Sequence, residues 1–163
     1  MSEPPTLPAA PGPLPGALGT IGLAWLVAGT LDITAACTYY PLTAGISPVA
    51  ILQGIASGWL GPAAFSGGLR TAALGLASHY LIALIWTVLF FVSARTFGWL
   101  TRHRVLAGLG YGVVVWLIMN LVVLPLSNVR HRPFQLWPSV VGAVTLMLCI
   151  GLPIAAIVGR RSA

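Results

Sequence analysis

Four long apolar stretches alternate along the chain with short segments rich in polar residues, glycine or proline. They cover approximately residues 19–40, 70–94, 105–126 and 139–158. Each stretch contains the roughly 20 residues that an α-helix needs to cross the hydrocarbon core of a bilayer. The pattern therefore predicts an all-α polytopic membrane protein with four transmembrane helices. Pro41 is predicted to end the first helix and Pro153 to kink the fourth.

Residues 48–60, between the first two stretches, have a different pattern. Their apolar side chains recur at helical spacing on one face, and small or polar residues occupy the other face. This arrangement indicates an amphipathic helix. The segment is too short to span a bilayer and ends at Gly61-Pro62, so we expect a short interfacial or re-entrant helix. The spacing of Gly54 and Gly58 predicts that another backbone approaches its polar face.

The beginning of the chain differs from the rest in composition. Six of the first sixteen residues are proline, and such a segment favours extended conformations that cannot pack into a core. We therefore expect a disordered Pro-rich tail over residues 1–16 and a single four-helix transmembrane domain over residues 17–163.

Composition supports the membrane assignment and limits the classes of binding partner that the chain can have. The chain is 58% hydrophobic and 6% charged, whereas soluble domains are about 25% charged. This balance excludes a water-soluble domain, and it also excludes a disordered chain, which would need low hydrophobicity. The eight Lys and Arg residues are all arginine and lie at the ends of the apolar stretches. Such arginines contact lipid headgroups, so the expected partner is the lipid bilayer and not nucleic acid.

The distribution of arginine also predicts an orientation. With four spans, both chain termini lie on one side of the membrane together with the second connecting loop. That side carries five arginines and the other side carries three. Because cytoplasmic segments are enriched in basic residues, we expect both termini in the cytoplasm.

Three polar side chains interrupt the apolar stretches: Asp32, His79 and Asn120. A helical rise of about 1.5 Å per residue places all three in one layer of the non-cytoplasmic half of the membrane. Each lies on the small-residue face of its helix, and Trp116 shares the face of Asn120. We therefore predict an intramembrane polar site formed by Asp32, His79, Asn120 and Trp116.

Two interpretations of this site remain open. A charged carboxylate in the bilayer is costly, so Asp32 is expected either to be protonated or to pair with a protonated His79. In either case it should form a hydrogen bond with His79 or Asn120. The site could respond to protons or bind a ligand. Alternatively, it could be a polar clasp that fixes the register of the helices, which is worth about 0.6–2 kcal/mol per bond.

Small residues recur at helical spacing on the third and fourth stretches. Gly108 and Gly112 form a GxxxG pattern, and Gly151 and Ala155 form a matching stripe. These positions favour close helix packing, either within the chain or in a homo-oligomer or membrane complex. No nucleophile–base pair, metal-ligand set or nucleotide motif is present. We therefore expect no catalytic residue, no metal and no cofactor, and hence no enzyme.

A series of short motifs lies between residues 79 and 126: His79, the basic loop that follows it, Leu106-Ala107-Gly108, Met119 and Pro125-Leu126. Through these motifs the run resembles the YagU-like family of bacterial inner-membrane proteins, for which no biochemical activity is established. The loop after the first span is shorter here and lacks cysteines. The resemblance implies a bacterial inner (plasma) membrane protein with a four-helix plan, and it transfers no catalytic residue. Two upstream blocks, Gly29 to Asp32 and Ala56 to Gly61, resemble segments of small bacterial membrane proteins of unknown role.

The sequence thus leaves two functional hypotheses. The first is a membrane protein with a buried polar site that responds to protons or has a small transporter-like function. The alternative is a structural or assembly subunit that packs against a membrane complex through its Gly/Ala stripes.

Overall fold

A computed structural model of the protein describes residues 15–129 and 135–161. All regular elements in these two ranges are helical. The Pro-rich tail predicted over residues 1–16 lies outside the described residues except for Pro15 and Gly16, which begin the first helix.

Six helices follow one another along residues 15–129 and 135–161, and two of them contain a π-helical segment. The first four are α1 (Pro15–Ala44), α2 (Pro48–Leu60) with a 3₁₀ turn after it (Gly61–Ser66), α3 (Gly68–Thr96) and α4 (Gly98–Arg102). Helix α5 comprises Arg104–Ile118, a π-helical segment (Met119–Val123) and a last turn (Leu124–Leu126). Helix α6 comprises Leu136–Thr145, a π-helical segment (Leu146–Gly151) and Leu152–Arg161.

Five helical segments in the described part of the chain are long and apolar enough to cross a membrane. They are Gly16–Ala44, Pro48–Ser66, Gly68–Thr96, Arg104–Leu126 and Leu136–Arg160. These segments identify the protein as an all-helical, multi-pass membrane protein. Length and composition allow one more span than the pattern of apolar positions predicts, because helical structure continues past Gly61 and Pro62 as a 3₁₀ turn.

The prediction that Pro41 ends the first helix is wrong, because α1 continues through this residue to Ala44. A proline removes one backbone donor, but its fixed φ is compatible with a helix. The helix ends one turn later at Gly45, whose φ of 65° is in the left-handed region that favours glycine. Ser47 then caps α2, since its hydroxyl accepts a hydrogen bond from the backbone N–H of Ala50 at 3.2 Å.

Each π-helical segment ends two residues before a proline, Pro125 in α5 and Pro153 in α6. A proline ring clashes with the carbonyl four residues earlier and offers that carbonyl no donor. A wider π turn moves those carbonyls and relieves the clash. At Pro153, where a kink is predicted, the structure has this local widening.

Helices α1 and α3 pack antiparallel and are joined by hydrogen bonds to backbone carbonyls. The indole Nε1–H of Trp25 donates to the Tyr80 carbonyl at 2.7 Å. Helix α3 is joined to α5 in the same way, by the Tyr111 hydroxyl and the Trp86 carbonyl at 2.6 Å. The buried apolar core lies between these helices and α6, and its members are Ala24, Ala28, Trp86, Phe90, Ala94, Ala107, Val115, Ile150, Ile154, Ala155 and Val158.

Helices α5 and α6 are in direct backbone contact at the small residues. A Cβ on Gly108 would lie 2.9 Å from the Gly151 carbonyl oxygen, and one on Gly112 would lie 2.7 Å from the Met147 nitrogen. Ala155 is fully buried in the same region. The GxxxG face and the small stripe on α6 therefore meet each other within one chain.

Helix α2 packs closely against α3, but not through the predicted glycines. A Cβ on Gly75 of α3 would overlap the Leu52 carbonyl group of α2. Among the described residues, nothing lies within 4 Å of a Cβ built on Gly54, and the nearest atom to one on Gly58 is the Ser127 Cβ at 3.8 Å. The prediction for Gly54 is thus wrong, because the glycine that allows the close approach belongs to the partner helix.

The contact between α5 and α6 gives a first prediction. We expect Gly112→Ala to destabilise the protein by about 1–3 kcal/mol, because the added methyl group overpacks a backbone contact. The measurement is thermal unfolding of the purified protein in detergent. Gly110→Ala is the matched control on the same helix, since a Cβ there meets nothing within 4 Å among the described residues. Equal melting temperatures for the two variants would contradict the packing.

Candidate functional site

Asp32 on α1 and His79 on α3 face each other inside the helix bundle. The His79 Nδ1 atom lies 4.0 Å from the Asp32 Oδ2 atom. On its other side, the His79 Nε2 lies 2.8 Å from the backbone carbonyl oxygen of Gly29. A carbonyl can only accept, so Nε2 carries a proton and donates it in this bond. The imidazole is therefore anchored to α1 through Nε2, and its Nδ1 atom is turned toward the carboxyl group.

This anchoring determines what the pair can do chemically. With a proton on Nε2, a neutral imidazole presents a lone pair at Nδ1 to the carboxyl group of Asp32. One added proton can then reside on either group, giving a neutral pair or an ion pair. The side chains are 10% exposed for His79 and 20% exposed for Asp32, so neither charged form is fully hydrated. The geometry therefore allows the two residues to share one proton.

The predicted hydrogen bond from Asp32 to His79 or Asn120 is not formed. A separation of 4.0 Å is too long for a hydrogen bond. The Asn120 amide instead donates to the Trp116 carbonyl on its own helix at 2.9 Å. Within residues 15–129 and 135–161, His79 is thus the ion-pair partner of the carboxylate, without a hydrogen bond.

A cavity of about 830 Å³ lies between α1, α5 and α6. It occupies the end of the bundle where α1 and α5 finish and α6 begins. Asp32 lines this cavity, whereas His79 lies behind Asp32 and does not. Asn120 and Trp116 line it from α5, so the structure brings three of the four predicted site residues to one cavity. Among its described lining residues, Asp32 is the charged one.

Trp116 determines where the cavity begins. Its indole Nε1 would lie 3.4 Å from a Cβ on Gly142 of α6. On α5, the positions four residues apart change from Gly108 and Gly112, which touch α6, to Trp116 and Asn120, which line the cavity. The small side chains thus bring the two helices together, and the large indole stands where the space between them opens.

Several cavity residues were missed in the sequence. Tyr39 belongs to the face of Asp32, seven residues further along α1, but an interfacial aromatic residue explains it equally well from sequence alone. Ser139 and Thr145 of α6 also line the cavity, as does Gly142 between them. Their spacing of three residues is a signal of one small, polar helix face. The sequence does not show which neighbouring helix this face of α6 packs against, so the cavity could not be predicted from it.

Neither a metal site among the described residues nor a match to a known protein assigns a further role to the cavity residues. The His, Cys, Asp and Glu residues of the described ranges form no group of three that could hold a metal ion. Comparison of the chain with protein-family models, characterised proteins and solved structures finds no match. The resemblance to the YagU-like family stays a prediction.

Chemical labelling can test whether water enters the cavity. Thr145 lines the cavity, whereas the adjacent Val144 is 45% exposed on the outside of the bundle. In a background lacking Cys37 and Cys149, we expect Thr145→Cys to react with a water-soluble maleimide and Val144→Cys to react several-fold more slowly. The reason is that the reactive thiolate forms in water and not in lipid.

The measurement is the labelling rate of each variant in sealed liposomes, read by the mass shift of the protein. Equal rates for the two neighbouring positions would contradict a water-filled cavity on this face of α6.

Proposed function

We propose that this chain is a membrane protein of the bacterial inner membrane in which the Asp32–His79 pair takes up and releases a proton at the floor of a cavity. The role is proton-responsive or small transporter-like and not enzymatic. The observation that carries the proposal is an acid that lines a membrane cavity, forms no hydrogen bond with the described residues and has an imidazole at 4.0 Å.

Four spans and one re-entrant or interfacial helix are part of this proposal. Because α1 and α3 are antiparallel, α1 ends and α3 begins at the same end of the bundle. The far end of α2 also lies there, since Asn128, just after α5, donates to the carbonyls of Gly58 (3.0 Å) and Trp59 (2.9 Å). These contacts favour a helix that enters and leaves on one side of the membrane, although its length would allow a span.

One-sided access to the pair supports a proton-binding role. The cavity reaches Asp32 from one end of the bundle. Toward the other end, α1 packs directly against its neighbours, and Ala24 and Ala28 are fully buried. Phe90 and Val115 close the same region, with about 1% of each exposed. A proton can therefore reach the pair from one side while packed side chains separate it from the other.

The arginine distribution supports an orientation with both termini in the cytoplasm. Arg95, Arg102 and Arg104 lie at the end of the bundle opposite the cavity. Arg130 and Arg132, which count for the other side, lie outside the described residues. With cytoplasmic termini, the cavity opens toward the periplasm.

The alternative is a structural or assembly subunit that packs through Gly/Ala stripes. The stripes at Gly108, Gly112 and Gly151 are already occupied by each other, so an oligomer would have to use other surfaces. The related idea of a polar clasp needs strong hydrogen bonds between helices. Asp32 makes none among the described residues, whereas His79 joins α3 to α1 through the Gly29 carbonyl at 2.8 Å. A clasp would therefore depend on His79 and not on Asp32.

Infrared titration tests the proton-binding role. We expect the C=O stretching band of a protonated carboxylic acid to appear as the pH is lowered, because Asp32 is the acid of the described helices. Asp32→Asn should remove the contribution of Asp32 to this band and leave that of Glu3. His79→Gln should shift the pH midpoint of the Asp32 contribution, because the imidazole no longer competes for the proton.

Glu3→Gln, which replaces the other acid of the chain, is the matched control and should leave the band at Asp32 unchanged. A band that titrates identically in wild type and in Asp32→Asn would overturn the proposal.

The topology can be checked with single cysteines placed around α2 in a cysteine-free background. We expect Leu42→Cys and Ser66→Cys to be labelled from the same side of the membrane and Gly98→Cys from the opposite side. The measurement is labelling by an impermeant maleimide in intact cells and in inverted vesicles. Labelling of Leu42→Cys and Ser66→Cys from opposite sides would show that α2 spans the bilayer.

A further inference from the structure

We propose that the cavity binds an amphipathic organic monocation, whose charge pairs with Asp32 and whose apolar groups contact the aromatic and aliphatic walls. The ligand class is that of quaternary ammonium and phosphonium compounds. This inference rests on the proposed function and extends it, because the same carboxylate would hold either the cation or the proton.

The charge of the cavity selects the sign of the ligand. Asp32 is the charged side chain among the described residues that line it, and the polar groups around it are uncharged, as in Asn120 and Ser139. An ionised carboxylate removed from water needs a compensating charge. A neutral His79 provides none, and the other described residues that line the cavity are uncharged, so an entering cation completes the site. An anion would be repelled by the same carboxylate.

The walls of the cavity favour an organic cation. Tyr39, Tyr40 and Trp116 line it together with aliphatic side chains such as Leu121 and Val141. Aromatic faces attract cations, and tryptophan attracts them most strongly. The apolar walls can bury the substituents of such a cation, whereas they offer nothing to a hydrated inorganic ion.

The size of the cavity also favours an organic cation. The cavity volume of about 830 Å³ falls in the range of about 300–1,000 Å³ that is usual for small-molecule sites. A divalent metal ion would need several oxygen ligands converging within about 2–2.6 Å. The lining provides one carboxylate in a wide space, which suits a bulky ion carrying a single charge.

The proton and the cation must compete for the same charge. Among the described residues, the titratable groups that interact with Asp32 are His79 from α3 and Cys149 from α6, while α5 contributes the uncharged Trp116 and Asn120. When the pair takes up one proton, the carboxylate is either neutralised or paired with the imidazolium. One bound monocation is then released for each proton taken up, so the net charge of the site is unchanged.

Tetraphenylphosphonium is the probe of choice, because tetraphenylborate has almost the same shape and the opposite charge. We expect the full chain in detergent to bind tetraphenylphosphonium at least about tenfold more tightly at about pH 8 than at about pH 5, as a proton on the pair removes the charge that the cation needs. Asp32→Asn should weaken binding at the higher pH by at least about tenfold. The measurement is equilibrium dialysis with labelled probe, and Glu3→Gln is the matched control.

Three results would overturn the inference: equal binding to wild type and Asp32→Asn, equal saturable binding of tetraphenylborate, or affinity that does not change with pH. If Asp32→Asn does not fold, wild type alone suffices. Saturating tetraphenylphosphonium should move the midpoint of the carboxyl infrared band to lower pH, and an unmoved midpoint would reject the ligand class. A band that titrates without responding to the cation would leave proton binding in place and remove only the inferred ligand.

Discussion

The hydrogen bond from His79 Nε2–H to the Gly29 carbonyl is the interaction on which the site depends. It joins α3 to α1 at a distance of 2.8 Å, and it fixes both the tautomer and the direction of the imidazole ring. Gly29 permits this approach, because a Cβ there would lie 3.0 Å from the Tyr80 ring. Without this bond, the imidazole ring could turn its Nδ1 atom away from Asp32. A backbone contact one turn before the acid thus sets the electrostatics of the acid itself.

The cavity follows from the order of side-chain sizes on one face of α5. Helices in lipid gain little from the hydrophobic effect, so they associate where small residues allow backbones to touch. Gly108 and Gly112 provide that contact with α6, and the next positions on the face, Trp116 and Asn120, line the cavity. The π-helical segments of α5 and α6 lie in this same region. The same face of α5 therefore contacts α6 at Gly108 and Gly112 and lines the cavity at Trp116 and Asn120.

Much of this arrangement was available from the sequence, and the failures have identifiable causes. Apolar stretches predicted the long helices because lipid requires about 20 apolar residues per span. Depth estimated from helical rise placed Asp32 and His79 at one level, where the structure has them 4.0 Å apart. The missing hydrogen bond could not be foreseen, because backbone carbonyls compete for side-chain donors: Gly29 takes His79 Nε2–H and Trp116 takes the Asn120 amide. The wall formed by α6 was missed because the sequence of a helix face does not show which neighbouring helix it packs against.

Asp32 accepts no hydrogen bond from the described residues, and this distinguishes it from a residue that only joins helices. The other polar side chains between the helices use backbone carbonyls or each other: Trp25 reaches Tyr80, and the Tyr80 hydroxyl pairs with Thr30 at 2.9 Å. A carboxylate recruited only to hold helices together would be expected to be satisfied in the same way, because an unmet charge is expensive in a membrane. Asp32 instead has an ion-pair contact on one side and open space on the other. A group left in that condition costs stability in the empty protein. Under the proposed function, a proton or a cation that enters the cavity recovers that cost on binding.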